Sequence, residues 1–259
     1  METELSFLES RHNKNVTGFG LSHPTFGKIF IGRFDPIHKS PTAHSQMLPI
    51  FNEYDIIAGD TNAGWHRLIK SNRYSRKPLI SSSRTCYVYN PISYLAPVQP
   101  TNPRDARLDM VMCKYEQPIP IDVGVTFEDF HLHKTPRHLM QALGFPSNHR
   151  PIKTSITIAQ KTMILAFWNV SDPIYWSQFC PLNNDCDPIK EHERLVLILK
   201  WVDNLAENCD VFGLAEVPAR LVPELQTIAQ KHGFTMAHQE EHSNVWRPNN
   251  PVSQMVIMY

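Results

Sequence analysis

The sequence predicts a single α/β domain that covers residues 1–259, and three observations lead to this prediction. The chain is long enough to bury a substantial core, and 42% of its residues are hydrophobic. Short runs rich in Val, Ile, Phe or Met are typical of buried strands, whereas two later segments repeat apolar residues at helical spacing. The 21 prolines are spread through the intervening segments, which favours a loop-rich α/β or α+β arrangement.

The short apolar runs predict eight strands, and the segments with helical spacing predict two helices. The first helix, 193–208, repeats Leu195, Leu199 and Val202 on one side. The second, 220–232, is followed by Gly233, and glycine is the residue that most often ends a helix. The strands are expected at residues 28–34, 55–59, 108–113, 152–158, 162–168, 211–214, 234–238 and 253–259.

Composition argues against several classes of protein. No apolar run reaches the roughly 18 residues of a membrane-spanning helix. The N-terminal residues lack the basic and then apolar layout of a secretory signal peptide. The five cysteines are odd in number and have no regular spacing, which favours reduced thiols over a disulfide scaffold. We therefore expect a soluble, cytoplasmic protein.

The formal net charge is zero, but the charge is unevenly distributed. Basic residues exceed acidic residues in residues 1–150, and the reverse holds in residues 151–259. A basic cluster with interleaved aromatic residues runs from Trp65 to Arg84. Such a cluster would suit a polyanionic substrate such as nucleic acid, although a solvated helix face and loop would have the same composition.

Polar residues follow directly after three of the predicted strands. Asp60 and Asn62 come after the strand at 55–59, and side chains of alternate residues can project in the same direction there. Asp and Asn at this place would also suit a turn or the start of a helix. Asn169 and Glu216 follow two later strands. Carboxylate and amide oxygens are ligands that hard divalent cations such as Mg²⁺ prefer.

Two further segments carry an acidic residue and a histidine. Asp109 lies at the start of one predicted strand, and the run Ser147-Asn148-His149-Arg150-Pro151 precedes another. The chain has 13 histidines, so a single histidine is informative only within such a frame.

In cyclic order, these segments resemble the motifs of the endonuclease/exonuclease/phosphatase superfamily, the DNase-I-like metal-dependent phosphoesterases. The order there is Asn, Glu, Asp-x-Asn, Asp and Asp-His, whereas the Asn and Glu segments come last here. The resemblance therefore implies a circular permutation, with the Asp-x-Asn, Asp and His part in residues 1–150 and the Asn and Glu part in residues 151–259. It also implies a four-layer α/β/β/α sandwich of two mostly antiparallel sheets, with the site where strand ends converge.

The resemblance also implies phosphodiester hydrolysis that depends on Mg²⁺ or Mn²⁺. Glu216 and Asn169 would bind the metal ion. Asp60 would orient or deprotonate the attacking water, and Asn62 would position that group and the phosphate.

A second group of residues would contact the substrate. His149 would bind the scissile phosphate oxygen or act as an acid, with Asp109 fixing its tautomer and favouring its charged form. Residues 87–91 resemble the family's Asn-Pro loop, which makes Asn90 a substrate-binding candidate. Arg84, in the basic cluster, is another.

Two positions depart from the family pattern. Asn148 stands where the family has an Asp that takes part in metal binding or water activation, so the metal affinity or the base function should be weaker. Arg33 stands where many nuclease members have a histidine that contacts phosphate. A guanidinium can clamp phosphate through two hydrogen bonds, but it cannot act as a general acid near neutral pH.

The favoured function is a metal-dependent phosphodiester hydrolase, and the basic cluster favours nucleic acid as its substrate. Two alternatives stay open: a phosphomonoesterase for a small phosphorylated substrate, and a degenerate scaffold that binds a phosphorylated ligand or a protein partner. The run 32–39 also resembles the opening of nucleotidylyltransferases, in which His38 would bind nucleotide phosphates. The second histidine of that motif is replaced by Ser40-Pro41.

Overall fold

The computed structural model describes residues 4–13, 16–34, 50, 53–60, 86–88, 109–115, 124–127, 146–147, 149, 151–170, 188–241 and 253–259. Within these ranges, twelve strands form two six-stranded sheets that face each other. Two α-helices lie on the outer side of one sheet.

The first sheet is formed by β1 (Ser6–Asn13), β2 (Val16–His23), β3 (Gly27–Phe34), β4 (Ile56–Asp60), β5 (Cys86–Val88) and β6 (Asp109–Tyr115). Their order across the sheet is β1-β2-β3-β4-β6-β5. Neighbouring strands are antiparallel except the central pair of β3 and β4, which is parallel.

The second sheet is formed by β7 (Gly124–Phe127), β8 (Ile152–Ile158), β9 (Lys161–Asn169), β10 (Val211–Pro218), β11 (Met236–Glu240) and β12 (Ser253–Met258). Its order, β7-β8-β9-β10-β12-β11, repeats that of the first sheet with every strand six places later in the chain. β9 and β10 form the parallel pair, and they again lie in the middle of the sheet.

Two apolar layers hold this arrangement together. Because successive side chains of a strand point to opposite faces, Phe167 packs between the sheets with Ile31, whereas Trp168 packs on the outer side of the second sheet. The sheets approach closely at Gly213, where an added Cβ would lie 2.3 Å from Ile31 Cγ2. A larger residue at this position would push β3 and β10 apart.

The outer side of the second sheet is covered by α1 (Pro188–Ala206) and α2 (Val222–His232), and a 3₁₀-helix (Ala219–Leu221) leads into α2. Ile198 of α1 and Leu225 of α2 are buried in one cluster with Trp168. Among the described helices, none is both long and apolar enough to cross a membrane.

The predicted α/β class is confirmed, as are the eight predicted strands and both helices, with ends that differ by a few residues. Gly233 ends α2 in the left-handed conformation, with a φ of 78°. Four strands were missed from the sequence. β1 is a largely exposed edge strand without an apolar run, β2 contains glycines that are weak strand formers, and β5 and β7 are short. The single-domain boundary stays a prediction.

We expect Gly59→Ala to destabilise the fold strongly. Gly59 has a φ of 148°, and a Cβ there would lie 1.7 Å from the carbonyl oxygen of Gly32 on the neighbouring strand. The substitution combines backbone strain with a clash against backbone, so the free energy of unfolding should fall by about 3 kcal/mol or more. Chemical denaturation measures this change.

Gly233→Ala is the matched control, because Gly233 also has a positive φ but no atom within 4 Å of an added Cβ. It should cost only about 1 kcal/mol, the strain of the left-handed conformation. An equal cost for the two substitutions would contradict the role assigned to the contact between Gly59 and Gly32.

Candidate functional site

The carboxyl ends of the two parallel strand pairs meet at one edge of the facing sheets. In the first sheet, Arg33 near the end of β3 lies in register with Asp60 at the end of β4. Asp109, the first residue of β6, pairs with Asp60 from the other side. In the second sheet, Asn169 ends β9 beside the residue that precedes Glu216 in β10. Strand topology therefore gathers these five residues at one edge.

A hydrogen bond joins the two sheets at this edge. Asn169 donates from Nδ2 to Asp60 Oδ2 over 3.0 Å. Both residues have a relative exposure of only 1%. A buried carboxylate needs hydrogen-bond donors, because a charge removed from water without them is costly. The bond therefore fixes the Asp60 carboxylate relative to the second sheet.

His149 is held in the same place from both its ring and its backbone. Its Nδ1 lies 2.8 Å from Asp109 Oδ2. Its backbone N–H donates to Ser147 Oγ over 3.0 Å, and its carbonyl accepts from Trp168 Nε1 over 2.9 Å. Ser147 in turn donates to the carbonyl of Asn169 over 2.7 Å. The segment that carries His149 is thus tied to the end of β9.

Arg194 of α1 supports these segments from the helix side. Its Nη1 donates to the carbonyls of Pro146 and Val170, each over 2.9 Å. Its Nε and Nη2 donate to the two carboxylate oxygens of Glu191. Pro146 immediately precedes Ser147, and Val170 immediately follows Asn169. The buried guanidinium therefore anchors the backbone on both sides of the site.

A second cluster of charged side chains surrounds Arg33. Its Nη2 is 3.1 Å from Glu216 Oε1, and its Nη1 is 3.2 Å from Glu241 Oε2. Glu241 Oε1 accepts the backbone N–H of Glu216 over 2.7 Å, and Ser253 Oγ donates to Glu241 Oε2 over 3.2 Å. The guanidinium therefore contacts both carboxylates, and Glu241 also binds the backbone of Glu216.

Glu216 has an unusual backbone conformation. Its φ is 56°, in the left-handed region that side chains other than glycine rarely adopt. The register between β10 and β12 shifts here, so that Ala215 and Glu216 lie opposite the single residue Met255. This is a β-bulge, a feature that turns a side chain away from its regular direction and is common beside functional sites.

The surroundings of His149 favour its protonated form. Burial lowers the pKa of His149, whereas the charge and the hydrogen bond of the adjacent Asp109 carboxylate raise it, and the charges of Asp60 and Glu216 act in the same direction as Asp109. Together, these effects raise the pKa of His149 to about 9. Near neutral pH the ring is therefore an imidazolium that donates from Nδ1 to Asp109, which leaves Nε2–H as the donor for an anionic ligand.

The surroundings of Glu241 disfavour its charged form. Burial raises the pKa of Glu241 to about 7; Arg33 works against this effect, and the repulsion from Glu216 adds to it. The Glu241 carboxyl therefore changes its charge near neutral pH.

The site has the charge and the donor atoms for a divalent cation. Ligand atoms of Asp60, Asp109 and His149 lie within 4.8 Å of one another, a geometry that could hold a metal ion. An imidazolium has no lone pair for a metal, however, so the protonated ring favours the carboxylates as ligands. Among the described residues of this edge, acidic groups outnumber basic ones, and a cation would offset the excess. The acidic groups are Asp60, Asp109, Glu216 and Glu241, and the basic ones are Arg33 and His149.

Six of the residues predicted from the sequence come together at this edge: Arg33, Asp60, Asp109, His149, Asn169 and Glu216. Four others, Asn62, Arg84, Asn90 and Asn148, lie outside the described residues, as do His38 and the whole basic cluster. Glu241 was missed. It follows a partly exposed strand and stands next to the exposed Glu240, so nothing in the local sequence marks it as buried.

No protein-family model, no curated protein and no solved structure gives a significant match to this chain.

We expect the fold to lose stability between about pH 7 and pH 9. The pKa of His149 is raised from 6.5 to about 9, so its pair with Asp109 contributes fully below pH 6.5 and is lost as the pH rises through 9. The free energy of unfolding should fall by about 3 kcal/mol over this range. Urea denaturation at a series of pH values, with EDTA present, measures the slope.

His149→Gln is the control, because an amide cannot titrate in this range. It should flatten the slope while lowering the stability at pH 7. The raised pKa of Glu241, about 7, makes the fold less stable as the pH rises towards 7 and has little further effect above about pH 8, so the slope between pH 8 and pH 9 reports His149. An unchanged slope in the variant would show that another group is responsible.

Proposed function

We propose that the chain is a divalent-metal-dependent phosphodiester hydrolase of the DNase-I-like kind. One observation carries the proposal: six residues that the family resemblance singles out, spread from Arg33 to Glu216 along the chain, lie at one edge of the facing sheets. Accidental matches to short motifs would not be expected to converge in this way. Polar residues of these types, buried and hydrogen-bonded to one another, are typical of a catalytic centre.

The proposal includes a bound Mg²⁺ or Mn²⁺ ion. Such an ion would neutralise charge on the phosphate and stabilise the leaving oxygen. Glu216 would hold it with its carboxylate. Asn169 donates its amide nitrogen to Asp60, so its Oδ1 is the atom that it would offer to the cation.

The protein's own groups supply the remaining chemistry. Asp60, fixed by Asn169, would accept a hydrogen bond or a proton from the attacking water. His149, protonated and held by Asp109, would donate from Nε2 to a phosphate oxygen or to the leaving group. Arg33 would add a permanent positive charge on the side of Glu216.

The proposed fold is the four-layer sandwich of this family in circularly permuted form. The two facing six-stranded sheets, in each of which all neighbouring strands but one pair are antiparallel, support it. The two helices over the second sheet would form one outer layer. A nucleic acid substrate, suggested by the basic cluster at 65–84, and a cytoplasmic location both stay predictions.

A catalytically degenerate binding scaffold is the second candidate. Glu216 is already paired with Arg33, which would compete with a cation for the same carboxylate. The neutral Asn148 in place of an acidic residue would weaken metal binding further. Such a protein would bind a phosphorylated ligand without cleaving it.

We expect hydrolysis of a phosphodiester by the wild type with Mg²⁺ or Mn²⁺, and its loss with EDTA. Single- and double-stranded DNA, RNA, bis(p-nitrophenyl) phosphate and p-nitrophenyl phosphate separate nuclease from phosphomonoesterase activity. Glu216→Gln and Asp60→Asn should each lower kcat by about 100-fold or more, since each removes a charge that acts at the reacting phosphate.

Glu240→Gln is the matched control for Glu216→Gln, because Glu240 is exposed on β11 and should leave kcat unchanged. Circular dichroism establishes that the variants fold. Absence of turnover by a folded wild type on all substrates would overturn the hydrolase proposal. Activity that needs His38 but tolerates Glu216→Gln would instead support a nucleotidylyltransferase.

Asn148→Asp tests whether the site is a weakened hydrolase. Restoring the carboxylate should raise metal-dependent turnover, by about tenfold or more, if Asn148 limits metal binding or water activation. The measurement is kcat/KM against Mn²⁺ concentration for both proteins. No gain, together with measurable wild-type activity, would show that the hydrolase works without this carboxylate.

A further inference from the structure

Among the described residues of this edge, Glu241 is the carboxylate to which the family resemblance gives no role. It immediately follows β11 and is 2% exposed. Its backbone N–H donates to the carbonyl of Ser253 over 2.8 Å, which fixes the residue against the start of β12. Burying a carboxylate is costly, so Glu241 must be stabilised here by specific partners.

The two carboxylate oxygens of Glu241 contact different parts of the site. Oε1 accepts the backbone N–H of Glu216 at the β-bulge, over 2.7 Å. Oε2 accepts from Arg33 Nη1 over 3.2 Å. The first contact stabilises the left-handed backbone that directs the Glu216 side chain. The second fixes one end of the guanidinium whose other end reaches Glu216.

We propose that Glu241 is a positioning residue that divides Arg33 between two carboxylates and so keeps Glu216 able to bind a cation. This rests on the proposed function in one respect, the role of Glu216 as a metal ligand. With Glu241 charged, the guanidinium has an anionic partner besides Glu216. Without it, both Nη groups of Arg33 would turn to Glu216, and a bidentate pair would withhold the Glu216 carboxylate from the metal.

The proposal separates two substitutions at the same position. Glu241→Gln keeps an oxygen that can accept the Glu216 N–H but removes the anionic partner of Arg33. Glu241→Ala removes both contacts. Glu240→Gln is the control, because it changes the same charge on the exposed neighbouring residue.

The first measurement is hydrogen exchange at the Glu216 amide by NMR, in EDTA, so that it does not depend on a metal. Exchange should be faster in Glu241→Ala by about 10- to 100-fold, the scale of a lost hydrogen bond to a charged acceptor. Glu241→Gln and Glu240→Gln should stay within about threefold of the wild type. If the Glu216 amide of Glu241→Ala exchanges at the wild-type rate, the proposal is overturned, whatever the metal data show.

The second measurement is Mn²⁺ affinity by electron paramagnetic resonance, with a double-mutant cycle. Glu241→Gln should weaken Mn²⁺ binding by about tenfold. In an Arg33→Met background, the same substitution should change the affinity by less than about threefold, because no guanidinium remains to withdraw Glu216. If Glu241→Gln weakens Mn²⁺ binding by the same factor in both backgrounds, Glu241 acts only through its own charge on the cation, and the proposal is overturned.

The two measurements also distinguish this proposal from the proposed function. A wild type that binds no Mn²⁺ and cleaves nothing overturns the hydrolase proposal and the metal part of the inference with it. The exchange rate of the Glu216 amide still decides whether Glu241 positions Glu216. If the wild type binds Mn²⁺ tightly and the effects of Glu241→Gln and Arg33→Met on the affinity are additive, the hydrolase proposal stands, but Glu241 has no positioning role.

Discussion

The close approach of the two central parallel strand pairs brings together the polar residues at their carboxyl ends. β3 packs against β10 at the point where Gly213 has no side chain, and Ile31 occupies that space. Because the pairs lie this close, their carboxyl ends come within hydrogen-bonding distance across the two sheets, as Asn169 and Asp60 do. A wider separation would break this buried hydrogen bond, and losing a donor is costly for a buried carboxylate.

The repeated topology explains how such a site can draw on both halves of the chain. Each set of six strands has one central parallel pair and an antiparallel strand beside it. Asp60 ends β4 and lies beside the start of β6; Glu216, in the equivalent β10, lies close to the start of β12. Each half thus contributes a carboxylate from its parallel pair. Such a site depends on which strand ends meet in space and not on which half comes first in the chain, so a circular permutation is compatible with it.

Residues at the ends of apolar strands could be predicted from the sequence, and residues fixed by long-range pairing could not. Asp60, Asn169 and Glu216 follow directly after short apolar runs, and a change from apolar to polar residues is visible locally. Glu241 becomes part of the site only because β11 pairs with β12 in one register, which sets Glu240 opposite Gln254. Arg194 is similar: it lies among other charged residues of α1, and its burial against the carbonyls of Pro146 and Val170 depends on how the helix packs.

The identity of residue 33 follows from the charges around it. Its side chain lies between Glu216 and Glu241, both nearly fully buried, and a cation there must stay charged for the two carboxylates to remain close together. A histidine could lose its proton and would offer two ring nitrogens, whereas a guanidinium keeps its charge and reaches both carboxylates with separate Nη groups. Arg33 and Glu241 are therefore best understood as a pair: the arginine makes a second buried carboxylate tolerable, and that carboxylate prevents the arginine from occupying Glu216 alone. Arginine, where the resemblance implies a histidine, is then an alternative balance of charge at the same strand end.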